Sequence, residues 1–179
     1  MIKIRFATIK DMKKIIDLCN RVRVQLQEDG IDMWDEDYPN EEVFGEDIQR
    51  KNLIVAADGR KIIGTISYNF DLKTELFFDV EDEMACEAEI NKLLEPCSAT
   101  KETIMSLHRL MVHPDHQRQG IATRLIQEAE KQGQGKTIIL FTEANNLKAI
   151  NLYLRLGYVQ NGMFTFTFGS LAYLYKLGK

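Results

Sequence analysis

Apolar and polar residues alternate over Ile2-Lys3-Ile4-Arg5-Phe6, the period of a strand with one buried face, and the spacing then changes. Met12, Ile15, Ile16, Cys19 and Val22 fall on one stripe, which predicts a helix from about Lys10 to Leu26 with Thr8 as a candidate cap. Pro39 can open a second helix whose apolar residues are Val43, Phe44 and Ile48. Two apolar runs, Leu53 to Ala57 and Lys61 to Phe70, flank Asp58-Gly59-Arg60, and the Asp-Gly step marks a hairpin turn.

From Leu72 to Thr103 dense carboxylates and Pro96 interrupt the pattern, and only a short helix through Ala85 to Leu94 is predicted. Ile104 to Val112 then reads as a central strand, ended by Pro114, which cannot continue a hydrogen-bond ladder. After Gly120, Ile121, Leu125, Ile126 and Ala129 line one face of a helix, with Gln127, Glu128, Lys131 and Gln132 opposite. Thr137 to Thr142 is an apolar strand. Ala149, Leu152, Tyr153 and Leu156 form another helical stripe, stopped at Gly157. Tyr158 to Phe168 and Leu171 to Tyr175 supply two final strands. This order predicts a mixed α/β (α+β) fold: a mixed, mostly antiparallel central sheet flanked by helices, with at least one strand–helix–strand crossover. The chain has 179 residues, 45% of them apolar, enough for one substantial core, so a single domain over 1–179 is expected.

Charge narrows the classes of function. Met1 to Asp17 interleaves Lys3, Arg5, Lys10, Asp11, Lys13, Lys14 and Asp17 with its apolar residues, so neither a signal peptide nor a membrane span is expected. Cys19, Cys86 and Cys97 are odd in number and far apart, which suits a reduced, cytoplasmic setting. A net charge of -4 gives no general attraction to nucleic acid. The carboxylates cluster: ten lie between Glu28 and Asp47 with no Lys or Arg, and seven more between Lys73 and Lys92. Such runs are either a solvated face or a negative field beside a site for a cationic substrate. Neither His113 nor His116 has further ligands at metal spacing, so no metal is expected.

The segment from Leu107 through His113-Pro114-Asp115-His116-Gln117-Arg118-Gln119-Gly120-Ile121-Ala122 passes from a strand, through a short loop, into a helix. A helix start offers free amides and the positive end of a dipole, which suit an anion. Gly120 lets a phosphate approach without a Cβ in the way, and Ala122 keeps the next inward position small. The competing reading is that Gly120 only eases a tight turn. No Gly-x-Gly-x-x-Gly follows a strand. Gly135-Lys136-Thr137 imitates the end of a P-loop, but Glu130 stands where that loop needs glycine, and the triplet precedes a strand instead of a helix.

Two motifs together resemble the GNAT superfamily of N-acetyltransferases. One is Gln117-x-x-Gly120-x-Ala122 after Leu110-Met111-Val112-His113-Pro114. The other is Asn146-x-x-Ala149-x-x-x-Tyr153-x-x-x-Gly157-Tyr158. The opening Arg5-x-Ala7-x-x-x-Asp11 and the strand with Ile62-Ile63-Gly64 are similar to the family's start, so the likeness covers most of the chain. The resemblance implies an acetyl-coenzyme A site splayed between two neighbouring parallel strands. It places the pyrophosphate on the loop that begins at Gln117, among the amides of Arg118, Gln119, Gly120, Ile121, Ala122 and Thr123. It pairs the pantetheine arm with backbone near Leu110, Met111 and Val112, and sets Asn146 and Ala149 beside that arm. Ala122 stands where many relatives have glycine.

The same resemblance makes Tyr153 the general acid for the leaving thiolate; from the residues alone, a core tyrosine is the alternative. Glu143 could act as base through a water, as could a carboxylate of the acidic stretches. His108 and Arg109 could face the acceptor cleft, against the plainer readings of a hydrogen-bonded histidine and a surface arginine. Met33 and Trp34, among Asp32, Asp35, Glu36 and Asp37, could wall an acceptor site, since an aromatic face beside carboxylates holds an ammonium; ordinary packing is the alternative. The expected activity is transfer of acetyl from acetyl-CoA to a primary amine of a small cationic molecule, by direct attack in a ternary complex. A protein or peptide N-acetyltransferase and a non-catalytic acyl-CoA-binding module are the alternatives, and a homodimer is left open.

Overall fold

The computed structural model describes residues 1–72, 83–166 and 169–178. Most of the second acidic run falls on 73–82, and the expected end of a strand at Phe168 falls on 167–168; both lie outside the described residues. In chain order the elements are β1 (Ile2–Phe6), α1 (Met12–Glu28), α2 (Glu41–Gln49), β2 (Leu53–Asp58), β3 (Lys61–Asn69), α3 (Glu83–Leu94), β4 (Ile104–Val112), α4 (Ile121–Gln132), β5 (Thr137–Thr142), α5 (Leu147–Arg155), β6 (Val159–Phe166) and β7 (Gly169–Lys176). The strands are hydrogen-bonded in the order β1-β2-β3-β4-β5-β7-β6. β4 and β5 pair in parallel, joined through α4, whereas β1–β2, β2–β3, β5–β7 and β6–β7 are antiparallel. The fold is therefore the mixed, mostly antiparallel sheet with helices that the residue pattern predicts.

The chain organises into two compact units, Met1–Tyr68 with His108–Gln132, and Asn69–Leu107 with Gly133–Lys179. In the first, α1 buries Met12, Ile15, Leu18, Cys19 and Val22 against Phe44 of α2 and Leu53, Val55 and Ala57 of β2. Alternation along β2 turns Ile54 and Ala56 to the opposite face, and α4 packs against β2. β2 is thus buried on both faces, which explains its unbroken apolar run Leu53 to Ala57. Each fully buried side chain of this size contributes about 1.5–3 kcal/mol. The hairpin register pairs Asp58 with Lys61, leaving Gly59 and Arg60 as the loop, with Gly59 at φ +58°. That conformation is the reason for a glycine there.

Three local expectations are corrected. Phe6 is 42% exposed, because β1 is the last strand of its side of the sheet. Thr8 precedes a single 3₁₀ turn, Ile9–Asp11, and forms a capping box with Asp11; α1 begins at Met12, two residues later than expected. Helix α2 is opened by Asn40, whose side chain accepts from the Val43 amide at 3.0 Å, and not by Pro39.

In the second unit, α3 supplies Cys86, Ile90, Leu93 and Leu94 to a core with Ile104, Ile139, Phe164 and Tyr173. Phe141 stacks on Tyr173 with ring centroids 5.2 Å apart, and the Tyr173 hydroxyl donates to Cys97 Sγ at 3.6 Å. All three cysteines are free and buried.

Candidate functional site

In the first unit β4 ends at Val112, and the His113 amide donates to Ile63 O of β3 at 2.9 Å. A 3₁₀ turn over Pro114–His116 follows, then an extended Gln117. Arg118 takes φ +58° and Gly120 φ +74°, so the chain makes two left-handed steps before α4 begins. Gln117 Nε2 donates to Gln25 Oε1 at 3.1 Å and to Val112 O at 3.4 Å, and Gln119 Nε2 donates to Asp115 O at 3.3 Å. The side chains of Gln117 and Gln119 are thus engaged in shaping the loop. The Arg124 amide donates to Gly120 O at 3.0 Å, so the amides of Ile121, Ala122 and Thr123 precede the helix's own ladder.

No acidic residue stands in the first turn of α4, and no atom lies within 4 Å of where a Gly120 Cβ would be. An open face, free amides and a positive dipole end suit a phosphate group. The left-handed φ of Gly120 is the conformation that favours a glycine, as the tight-turn reading expects, and the space on its Cβ side is open. Helix α4 is seated by Gly64 of β3, where a Cβ would lie 3.0 Å from both Leu125 Cδ1 and Met111 O.

Upstream of the loop, the β4–β5 ladder runs from Ile104↔Thr137 to Leu107↔Leu140. Two residues on, Arg109 takes φ +51° within β4, immediately before Leu110, Met111 and Val112. Arg109 is not a surface arginine; its side chain is 5% exposed, and that of Asp47, its partner on α2, is 7% exposed. Arg109 Nη2 and Nε donate to the two Asp47 oxygens at 3.0 and 3.1 Å, and Nη1 donates to Tyr38 Oη at 2.6 Å. Ser67 Oγ of β3 donates to Asp47 Oδ2 at 2.6 Å, and the Tyr38 ring lies 5.8 Å from the guanidinium. Sequence reasoning missed Asp47, Tyr38 and Ser67 as partners. The available signal was Asp47 itself, three residues after Phe44 and one before Ile48, a carboxylate on the apolar face of α2.

His108 has both ring nitrogens out of contact with solvent. Burial, followed by the charge of Arg109, holds its imidazole well below the usual histidine range, against a hydrogen bond with the Tyr68 backbone. A neutral ring follows at neutral pH.

In the second unit, Asn146 is the N-cap of α5. Its Oδ1 accepts from the Ala149 amide at 3.2 Å and its Nδ2 donates to Thr142 Oγ1 at 3.1 Å. Tyr153 on α5 is buried, 8% exposed, and burial pushes its phenol well above the ordinary tyrosine range. Gly157 takes φ +88°, its amide donates to Leu154 O, and the Tyr158 amide reaches back to Tyr153 O at 3.1 Å. This is the Schellman pattern, accompanied by a contact between the Tyr153 and Tyr158 rings at 5.7 Å. Glu143 is half-buried at the end of β5, and its carbonyl accepts from the Asn146 amide at 3.0 Å. The expected cofactor and catalytic residues thus fall in both units. Gln117 to Thr123 and Leu110 to Val112 are in the first, and Asn146, Ala149, Tyr153 and Glu143 in the second.

Trp34, 8% exposed, packs in the core of the first unit with Met33 against it. Asp32, Asp35, Glu36 and Asp37 are exposed beside them. Asp35 Oδ1 accepts from the amides of Asp37 and Tyr38 at 2.9 and 2.8 Å, which gives this acidic loop a defined shape. Not all ten carboxylates of the run stand alone, since Asp47 pairs with Arg109 and Glu46 with Arg50 at 3.3 Å. Among the described residues no group of three or more His, Cys, Asp or Glu is placed to hold a metal, and no helix is long and apolar enough to cross a membrane.

Several solved structures share this fold. A GNAT-family acetyltransferase from Streptococcus agalactiae 2603 superposes with TM-score 0.74 at 18% identity, over 99% of this chain and 96% of that one. The PaiA N-acetyltransferase of Thermoplasma acidophilum, solved in complex with coenzyme A, gives 0.69 at 17% identity over 99% of each chain. A polyamine N-acetyltransferase of Drosophila melanogaster, which catalyses formation of N-acetylagmatine, gives 0.70 at 12% identity over 99% of this chain and 100% of that one. A sequence search of curated proteins finds no match. The sequence profile of the acetyltransferase (GNAT) family matches residues 16–158, and with that match spanning most of the chain, the protein belongs to the GNAT family of acetyltransferases.

Proposed function

We propose that the protein transfers the acetyl group of acetyl-coenzyme A to the primary amine of a small cationic molecule, by direct attack in a ternary complex. The observation that carries this reading is the loop before α4. The chain makes left-handed steps at Arg118 and Gly120, the space beside Gly120 is open, and the amides of Ile121, Ala122 and Thr123 begin a helix with no carboxylate in its first turn. Family membership and the coenzyme A complex of the Thermoplasma relative support the choice of donor.

In this reading the loop from Gln117 to Thr123 holds the pyrophosphate, and the backbone of Leu110, Met111 and Val112 lines the pantetheine arm. Asn146 fixes the start of α5, with Ala149 keeping the cofactor-facing position small. A neutral amine forms the new N–C bond as the C–S bond breaks, and Tyr153 donates its phenolic proton to the departing sulfur. Glu143, through a water, accepts the proton that the amine gives up. His108 is neutral and suits hydrogen bonding to an acceptor better than ion pairing. Exposed Asp32, Asp35, Glu36 and Asp37 favour a cationic acceptor, with Met33 and Trp34 as the packed support of that loop. The polyamine-acetylating relative favours the same class of acceptor.

The test is release of free thiol from acetyl-coenzyme A across a panel of mono-, di- and polyamines, neutral amines, acidic amines and peptide N-termini, at low and high salt. Preferential turnover of small cationic amines, weakening as salt rises, is expected. Equal use of acidic and neutral acceptors at low salt would remove the cationic assignment. No thiol release with any amine, together with no heat of coenzyme A binding, would remove the activity itself.

A further inference from the structure

We propose that Arg109 is a positioning residue: its buried pair with Asp47, closed by Tyr38, fixes the left-handed step in β4 and hence the backbone of Leu110 to Val112. The inference rests on the acetyl-transfer reading, which assigns that backbone to the pantetheine arm. A residue with a Cβ at φ +51° inside a strand is unfavourable and persists only where its surroundings over-determine it. Here they do so from four directions. Asp47 comes from α2, Tyr38 from the loop before α2, and Ser67 from β3 through Asp47; Thr65 Oγ1, also on β3, donates to the carbonyl of Arg109 itself at 3.3 Å.

The guanidinium fork matches the carboxylate in a bidentate pair and still has a donor for the Tyr38 hydroxyl, a geometry that a lysine cannot copy. Apolar packing would fill the same space without burying two charges. What an ion pair adds is a single allowed direction for the side chain, and therefore for the peptide planes on either side of it. The same pair ties the acidic Asp35–Tyr38 loop to the strand, because Tyr38 is held at its amide by Asp35 and at its hydroxyl by Arg109.

The experiment compares two ligands by calorimetry on the parent protein and on Arg109→Lys: coenzyme A, which carries the arm, and 3′-phospho-ADP, which keeps the adenosine and phosphates and lacks the arm. Arg109→Lys is expected to weaken coenzyme A about tenfold or more while 3′-phospho-ADP stays within about threefold, because misplacing a contacting backbone affects only the part of the ligand it touches. Equal loss for both ligands, or loss for neither, in protein with a cooperative melt would overturn the positioning role. If Arg109→Lys does not fold, Tyr38→Phe gives the same comparison, since Tyr38 is 39% exposed and only its hydroxyl is removed. An arm-specific loss of about three- to tenfold is then expected, and unchanged affinity for both ligands overturns the proposal. Failure of the underlying reading looks different, because the parent itself would bind neither ligand.

Discussion

Replacing Gly64 with alanine adds one carbon where three atoms already converge. The new Cβ would lie 3.0 Å from Leu125 Cδ1, 3.0 Å from the carbonyl oxygen of Met111 and 3.2 Å from Ile121 Cγ2. Relaxed carbon contacts sit at about 3.5–4.0 Å, so each neighbour has to retreat by a few tenths of an ångström. Leu125 can do so by turning its side chain. The Met111 carbonyl belongs to a strand and does not yield without moving backbone, while Ile121 Cγ2 is the branch methyl of a buried side chain with little χ1 freedom. An extra methyl in a packed core costs about 1–3 kcal/mol, and the rigid oxygen places this one in the upper part of that range. Alanine returns about 0.5–1 kcal/mol by narrowing the unfolded ensemble, leaving a net loss of about 1–2 kcal/mol. At this chain length that lowers Tm by about 2–8 °C. Because Ile121 opens the helix that follows the proposed phosphate loop, coenzyme A affinity should fall about three- to tenfold with it. Thermal melts and calorimetry on Gly64→Ala, Leu125→Ala and the double variant measure both effects. The double variant should be more stable than the sum of the single losses predicts, since one of the three contacts has been removed. A Gly64→Ala midpoint equal to the parent's, with unchanged affinity, would refute the claim that this glycine seats α4.

Tyr153→Phe keeps the ring against Tyr158 and removes the hydroxyl, so kcat should fall about 10²–10⁴-fold with coenzyme A affinity unchanged; a kcat within about threefold of the parent in a chemistry-limited assay would exclude the acid role. Its raised pKa also means that the phenol stays protonated through the alkaline range, so kcat should show no loss assignable to it below about pH 10. Gly120→Val meets no existing neighbour but must adopt φ +74° and occupies the open face, and should cost cofactor binding roughly 2–4 kcal/mol by calorimetry. Asp11, held well below the usual carboxylate range by Arg5 and by Thr8, contributes stability that is present above its unfolded pKa of about 4 and lost as pH falls through the folded value. Melts of Asp11→Asn should therefore differ most from the parent above about pH 5 and converge with it on acidification; a constant difference at all pH would rule this linkage out.

The elements legible in the sequence are those whose burial follows a single period. β4, β5 and α4 match their predicted limits because Thr137 to Thr142 and the Ile121–Leu125–Ile126–Ala129 stripe are uninterrupted, and because Pro114 closes the run from Ile104 to Val112. The left-handed turn before α4 was legible for a different reason: it is a backbone feature, and Gly120 at a helix start reports it directly. Arg109 was misread because its partner lies 62 positions away in sequence, and no local spacing encodes a pair closed through the sheet. Trp34 was left between two readings because flanking carboxylates say nothing about the side-chain direction, and the core of the first unit takes the ring. The start of α2 was misplaced by one residue's chemistry, since Asn40 caps and Pro39 only precedes it.

Helix α5 is bounded at both ends by local signals, the side-chain cap of Asn146 and a left-handed Gly157 stop, and Tyr153 is tied to that stop through its own carbonyl. The segment from Asn146 to Gly157 therefore acts as a ruler. Inserting or deleting one residue before Tyr153 would turn the phenol about 100° around the helix axis, while both end signals kept the helix in place. Point substitutions along α5 change what the helix displays, whereas length changes alter where it displays it, and for this chain the spacing is as much a part of the proposed acid as the hydroxyl.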